Sequence, residues 1–329
     1  MITTPKFFKA ANNQDGAAEF KRCMPVGVQT SFKTMAPAIA TAEQLRLLPY
    51  LGQPLFDTAA NYYAGETQTD TVMNGLIEHI QMALVRIAFW DSFDQLSVVM
   101  TDSGVTNVQG EKSPYRYQAD ALRRSLQRQG YEWLNRMLEY CTEHVDTLTD
   151  FLQSPYYTER SESVIKGMSD FEKHISINHD FTVFAKLREW IDNAEKMELE
   201  FRIGEAMYEG IHTTPLAEKY QPLMRGITGF VCHWAMAEAT PFLNLQPSAN
   251  GLVIVSEDTN DGSMIQQARE PQIIAFADRH RTAAERYIGQ VVTYCKQHRD
   301  TFPEINELGP SETEHGADRP DNKGKIFLA

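Results

Sequence analysis

The chain has 329 residues, 42% of them hydrophobic, and a formal charge of −13. That is apolar material for two ordinary domains with separate cores, while the acidity excludes tight binding to phosphate backbones, which needs clustered Lys and Arg. The longest apolar stretches break well before the ~18 residues of a membrane span, and the opening MITTPKFFKAANNQDG lacks the apolar core of a secretory signal.

Residues 1–18 read as an N-terminal arm, because little periodicity appears before residue 35. Thr41 is then placed to cap a helix carrying Leu45, Leu47 and Leu48, with Pro49 and Gly52 as its stop. A long helix is predicted from about Thr69 to Phe93. Its apolar stripe runs through Val72, Leu76, Ile80, Ala83, Leu84, Ile87 and Trp90 at three-to-four spacing. LSVVMTDSGVTNV (96–108) reads as a short β-hairpin turning at Asp-Ser-Gly. Two helices, 115–129 and 131–150, close the unit around Tyr131, Trp133, Leu134, Leu138 and Cys141.

A linker is assigned to 153–169, and a second unit opens after it. Its long helix, 181–211, carries Phe184, Leu187, Trp190, Ile191 and Met197, and LNLQPSANGLVIVSED (243–258) is its hairpin. Residues 306–329 are polar and acidic and end on Ile326, Phe327 and Leu328. They read as a C-terminal arm whose apolar tip is a candidate interaction site.

The second unit copies the first. YCTEHVDT (140–147) returns as YCKQHRDT (294–301), and MLEYCTEHVDTLTDF pairs with VVTYCKQHRDTFPEI around it. Upstream, LIEHIQMALVRIAFWD (76–91) pairs with LMRGITGFVCHWAMAE (223–238). Phe32 meets Phe184, Ile39 meets Ile191, Ala42-Glu43 meets Ala194-Glu195, Gly52 meets Gly204, and Glu19-Phe20 meets Asp170-Phe171. The register drifts as short loop insertions would make it drift. The fold class is therefore mainly α: two tandem-duplicated helical units, 19–152 and 170–305, each with a small hairpin, plus an arm at either end.

Three features of the sequence bear on chemistry. Cys141 with His144, and Cys295 with His298, sit three apart on helical ends, and all four together would make a Cys₂His₂ zinc site. The competing reading is a copied helix end, where His complements the dipole and Cys fills core. The four cysteines include no Cys-x-x-Cys, the usage of a reduced cytoplasmic protein with buried thiols. KHISINHD (173–180) resembles the His-Asp pair of metal-dependent helical phosphohydrolases, with His179 and Asp180 as the pair. Its repeat partner RCMPVGVQ has neither group. No glycine-rich phosphate loop and no G-x-S-x-G occur. The expectation is no enzyme, no cofactor and no resident metal.

YLGQPLFD, AFWDSF, LSVVMTDSGV and KSPYRYQADALRRSLQRQGYEWLNRMLEY together resemble a family of Bacteroidetes phage and prophage proteins. That family lies among virion structural genes and is similar to the small helical head–tail connector (adaptor) proteins of tailed phages. The resemblance is clearest over 45–152 and recurs over 199–305. It implies a virion neck protein made in the host bacterial cytoplasm. Its implied partners are other copies of itself in a ring, the portal protein above, a neck or tail protein beside it, and DNA passing unbound through the channel, with no membrane. The ring would hold about twelve chains, or about six whose halves imitate twelve. A tail-terminator ring and a His-Asp hydrolase are the alternatives.

Overall fold

Asp70 opens the longest helix of the first unit by accepting from the backbone N–H of Val72 (2.8 Å) and Met73 (3.1 Å). In the computed structural model, which describes residues 4–9, 18–24, 32–96, 98–101, 104–107, 116–213, 215–243, 245–248, 251–254 and 270–303, the chain is mainly helical. Its helices are α1 (Ala18–Cys23), α2 (Phe32–Ala42), α3 (Leu48–Ala64), α4 (Thr71–Asp91), α5 (Phe93–Leu96), α6 (Arg116–Glu143), α7 (Pro155–Ser161), α8 (Met168–Glu172), α9 (Phe181–Asn193), α10 (Glu200–Ile203), α11 (Glu205–His212), α12 (Gln221–Ala239) and α13 (Glu270–Gln297). Two short antiparallel pairs accompany them. Val98–Thr101 pairs with Gly104–Asn107, and Leu245–Ser248 pairs with Gly251–Ile254. No helix among the described residues is long and apolar enough to cross a membrane.

Contacts divide the chain into two compact units. One gathers Met1–Glu162 and Ile177–Ala185; the other gathers Ser163–Ser176 and the described residues from Lys186 onward. The first unit's core lies between α4 and α6. Leu76, Ile80, Ala83, Leu84, Ile87 and Ala88 of α4 and Leu134, Met137, Leu138 and Cys141 of α6 are buried. Each fully buried Leu or Ile stabilises by roughly 1.5–3 kcal/mol. α6 is one helix where a break at Gly130 was expected. That glycine marks close packing instead, since a Cβ there would stand 2.8 Å from Ile87 Cγ1 and 3.4 Å from Arg86 Cβ. The second unit packs α12 on α13 by the same device. A Cβ on Gly226 would overlap Val291, and one on Gly229 would come 2.8 Å from the Tyr287 ring.

Two further punctuation marks act otherwise than the pattern predicts. Thr41 lies inside continuous helix, its Oγ1 donating to the Pro37 carbonyl (2.9 Å). Pro49 starts α3 rather than stopping a helix, because its missing N–H costs nothing in a first turn. Gly52 is where the path bends, at φ +73°, and Gly204 bends the second unit at φ +82°. In the long predicted helix 181–211, α9 runs into a π-helical turn, Ala194–Leu199, then α10, and Gly204 ends the run.

A π-helical turn also precedes α3, at Glu43–Leu47. Each turn carries a buried glutamate: Glu43 is 0% exposed and Glu195 3%. Both Glu43 oxygens accept from Lys6 N–H (2.9 and 3.1 Å), and Oε1 also accepts from Phe7 N–H (3.2 Å). Glu195 Oε1 accepts from Ser163 Oγ (2.7 Å) and Val164 N–H (3.1 Å). A non-helical strap is thus tied to the π-turn in each unit. Phe7, at the end of the first strap, is wholly buried and meets Phe56 edge-on at 5.3 Å. Residues 4–9, read as arm, are an integral part of the first unit.

The stretch 153–169, read as linker, is divided. Ser154 caps α7 by accepting from Tyr157 N–H (3.1 Å), and the Phe151 ring meets Tyr156 tilted and Tyr157 edge-on within the first unit. Ser163 and Val164 begin the second unit by binding Glu195. Residues 306–329, with Ile326, Phe327 and Leu328, lie outside the described residues.

Burial pushes the Glu43 carboxyl up to about 7 against the two backbone donors that hold it down. A raised carboxyl favours the fold where it is protonated. Its contribution is full below the unfolded value of 4.5 and is lost as pH rises through about 7. Denaturant titrations from pH 5 to 8 are expected to show stability falling with pH, with that slope reduced in Glu43→Gln. Glu43→Ala, which leaves buried N–H groups unpaired, is expected to cost roughly 2–5 kcal/mol at pH 6.

Candidate functional site

The repeated Cys-His pairs split between core and surface. Cys141 and Cys295 are fully buried, and burial alone drives the Cys141 thiol far above its ordinary range. His144 lies on the Tyr140 ring (centroids 4.2 Å) and its Nδ1–H donates to the Tyr140 carbonyl at 3.0 Å. His298 repeats this on Tyr294, at 4.2 Å and 2.9 Å. Each carbonyl also accepts the backbone N–H of the same histidine at 3.1 Å, so the imidazole adds a second bond at the helix end. Among the described residues no group of three or more His, Cys, Asp or Glu side chains is gathered as a metal would need.

His179 and Asp180 form a turn and a cap. Asn178 and His179 take left-handed backbone, φ 58° and 54°. Asp180 Oδ1 accepts from Thr182 N–H (2.8 Å), Val183 N–H (3.3 Å) and Thr182 Oγ1 (2.6 Å), which starts α9. Ser163, Glu195 and His212 bring triad residue types together in the wrong order. The carboxylate takes the Ser163 hydroxyl directly, and His212 Nε2 stands 3.9 Å from its other oxygen. A nucleophile needs the imidazole next to it; here the serine is the carboxylate's donor.

What the second unit does contain is a groove of about 620 Å³ between α12 and α13. Its walls include Leu223, Gly226, Tyr287, Val291 and Tyr294, with Arg225 and Arg286 also lining it. Both arginines are exposed, and no ion pair joins either to another described residue. His233 and Tyr287, both in the lining, belong to a histidine cluster. His233 lies over the tyrosine ring at 5.5 Å, and His174 meets its edge at 5.8 Å. Thr228 Oγ1 donates to the Met224 carbonyl (2.8 Å), so its lone pair receives the His174 Nε2–H at 2.9 Å. His233 Nδ1 and His280 Nδ1 stand 2.8 Å apart, a spacing that holds one proton between them. Burial, then His280, then His174 lower His233 to about 4. At neutral pH the cluster is uncharged, and the positive field of the groove comes from its arginines.

The matched positions of the first unit are built differently. Where Gly226 stands, the first unit has His79, stacked on Tyr140 at 5.0 Å and edge-on to Trp133 at 5.7 Å. Trp133 and Tyr140 match Tyr287 and Tyr294. The place of His233 is taken by Arg86, whose guanidinium lies over Trp133 at 5.8 Å and donates to the Met82 carbonyl at 2.8 Å. His79, Trp133, Tyr140 and Arg86 thus occupy the corresponding surface. The groove and the buried glutamates carry no local sequence motif; the Ala-Glu pair shared by the two copies was the only visible signal of the latter.

A family model, described as a family of unknown function (DUF6712), matches the chain twice, over residues 47–161 and 189–313. No curated protein matches the chain, and no solved structure does.

A lowered histidine contributes stability above its unfolded value of 6.5, and that contribution is lost as pH falls through about 4. Thermal melts between pH 7 and 4 are expected to fall less steeply in His233→Gln than in the parent chain. Cys141→Ser places a hydroxyl in apolar core and is expected to cost about 1 kcal/mol. Elemental analysis of parent and variant is expected to give no stoichiometric zinc in either; zinc lost with the thiol would overturn the helix-end assignment.

Proposed function

We propose that this chain, which belongs to the DUF6712 family of unknown function, is a structural protein of a tailed-phage virion that forms a ring of the head–tail connector below the portal. In this reading it is two tandem copies of one helical unit and acts by assembly, not catalysis. The phage setting rests on the resemblance carried by YLGQPLFD, AFWDSF and the long α6 segment.

One observation carries the assembly reading. Leu45 is 65% exposed and Met197 71% exposed, and they occupy the same place on the two π-helical turns, two residues after the buried glutamate. Scattered exposed apolar side chains are ordinary. The same exposed apolar side chain on the same uncommon turn, written twice, is better matched by a contact that each unit makes. Heterologous contacts repeated about an axis close into rings, and π-turns are frequent at functional positions.

Charge supports the same reading. A net charge of −13 suits a channel wall past which DNA slides without adhering. The contact partners are other copies, the portal protein and the adjoining neck or tail ring, and DNA is a passenger.

Native mass spectrometry with negative-stain imaging, on the chain alone and mixed with portal protein, tests the proposal. A closed ring of roughly six or twelve copies is expected, with assembly lost in Leu45→Asp/Met197→Asp while helicity stays unchanged. A chain that remains monomeric in both samples would sink the ring.

A further inference from the structure

We propose that the groove between α12 and α13 is the seat of this chain's own acidic segment, residues 304–314, folded back along α13. The described chain ends at Pro303, directly at the groove's mouth: Phe302 is buried, and its ring lies 6.1 Å from that of Tyr294, which lines the groove. Residues 304–314 read EINELGPSETE, with four carboxylates (Glu304, Glu307, Glu312, Glu314) and no Lys or Arg. The groove offers the opposite charge. Lys219 stands over the Phe302 ring at 6.0 Å, and Arg225 and Arg286 follow along the wall.

Length fits as well as charge. From Tyr294 back to Ala283 the groove follows α13 for about 17 Å at ~1.5 Å per helical residue. An extended segment covers that with about five or six residues at ~3.3 Å each. The segment's carboxylates reach the exposed Arg225 and Arg286, which no described residue pairs. Attachment to the same chain keeps the segment at high effective concentration beside the groove, so modest contacts suffice.

The inference does not depend on ring formation, since a monomer would show the same contact. The test uses the full-length chain with photoreactive benzoylphenylalanine in place of the exposed, groove-lining Gln290. After irradiation, peptide mapping is expected to join position 290 to residues 304–314. In a mixture of isotopically heavy and light chains, the joined peptides are expected to be heavy–heavy or light–light. Arg225→Glu/Arg286→Glu is expected to lower the yield at least fivefold, and changing the four glutamates to lysine in that background is expected to restore it. Heavy–light products would assign the segment to a neighbouring copy and overturn the in-chain seat. Crosslinks that miss 304–314, or a yield indifferent to charge reversal, would overturn the docking itself.

Discussion

A carboxylate held inside protein must find donors, and in each unit that requirement organises the rest. Glu43 and Glu195 sit on π-helical turns where no regular helical bond satisfies a side chain, so a non-helical strap is brought in to supply N–H and hydroxyl groups. The strap carries an apolar residue behind its donors: Phe7 in one unit, Ile165 in the other, both wholly buried. Removing the carboxylate would therefore loosen more than a hydrogen bond. The strap, the turn and the start of α3 or α10 are one cooperative piece, and partial satisfaction of such a piece is worse than an apolar core.

The clamp also decides where a unit begins. Periodicity placed the first unit's start at residue 19 and the second's at 170, because short straps have no period to read. Glu43 reaches back to Lys6 and Phe7, and Glu195 reaches back to Ser163 and Val164, so each unit starts before its first helix. The exposed Leu45 and Met197 follow from the same geometry. A π-turn inserts one extra residue into a helical course, which keeps the glutamate inward while the side chain two residues on faces out.

Legibility in the sequence followed the range of the interaction responsible. The α4 stripe from Leu76 to Ala88 is a local pattern, and its helix runs Thr71–Asp91 against an expected 69–93. Gly130 and Pro49 are local signals with two meanings: at Gly130 a neighbour remote in sequence, Ile87, needs the missing Cβ, while Pro49 is as compatible with a helix's first turn as with its stop. The buried glutamates were visible only as a shared Ala-Glu pair, because their partners are tens of residues away. The Cys-His pairs were legible as a motif but not in direction. Burial of Cys141 and stacking of His144 on Tyr140 separate the two side chains that ligation would need to converge.

The two units keep what their cores demand and differ where the demand ends. Leu76 and Leu223, Cys141 and Cys295, and Glu43 and Glu195 are all buried in matched places, since a change of even one methylene in a close-packed core is felt. Around Trp133 and Tyr287 the two units differ, although Gly229 still lets the Tyr287 ring pack closely on α12. There one unit stacks His79, Trp133 and Tyr140 into a filled surface, and the other leaves Gly226 beneath an open, arginine-lined groove. A filled flank can only be covered; an open one can receive a segment. Divergence at that flank therefore gives a chain of two similar units two different surfaces.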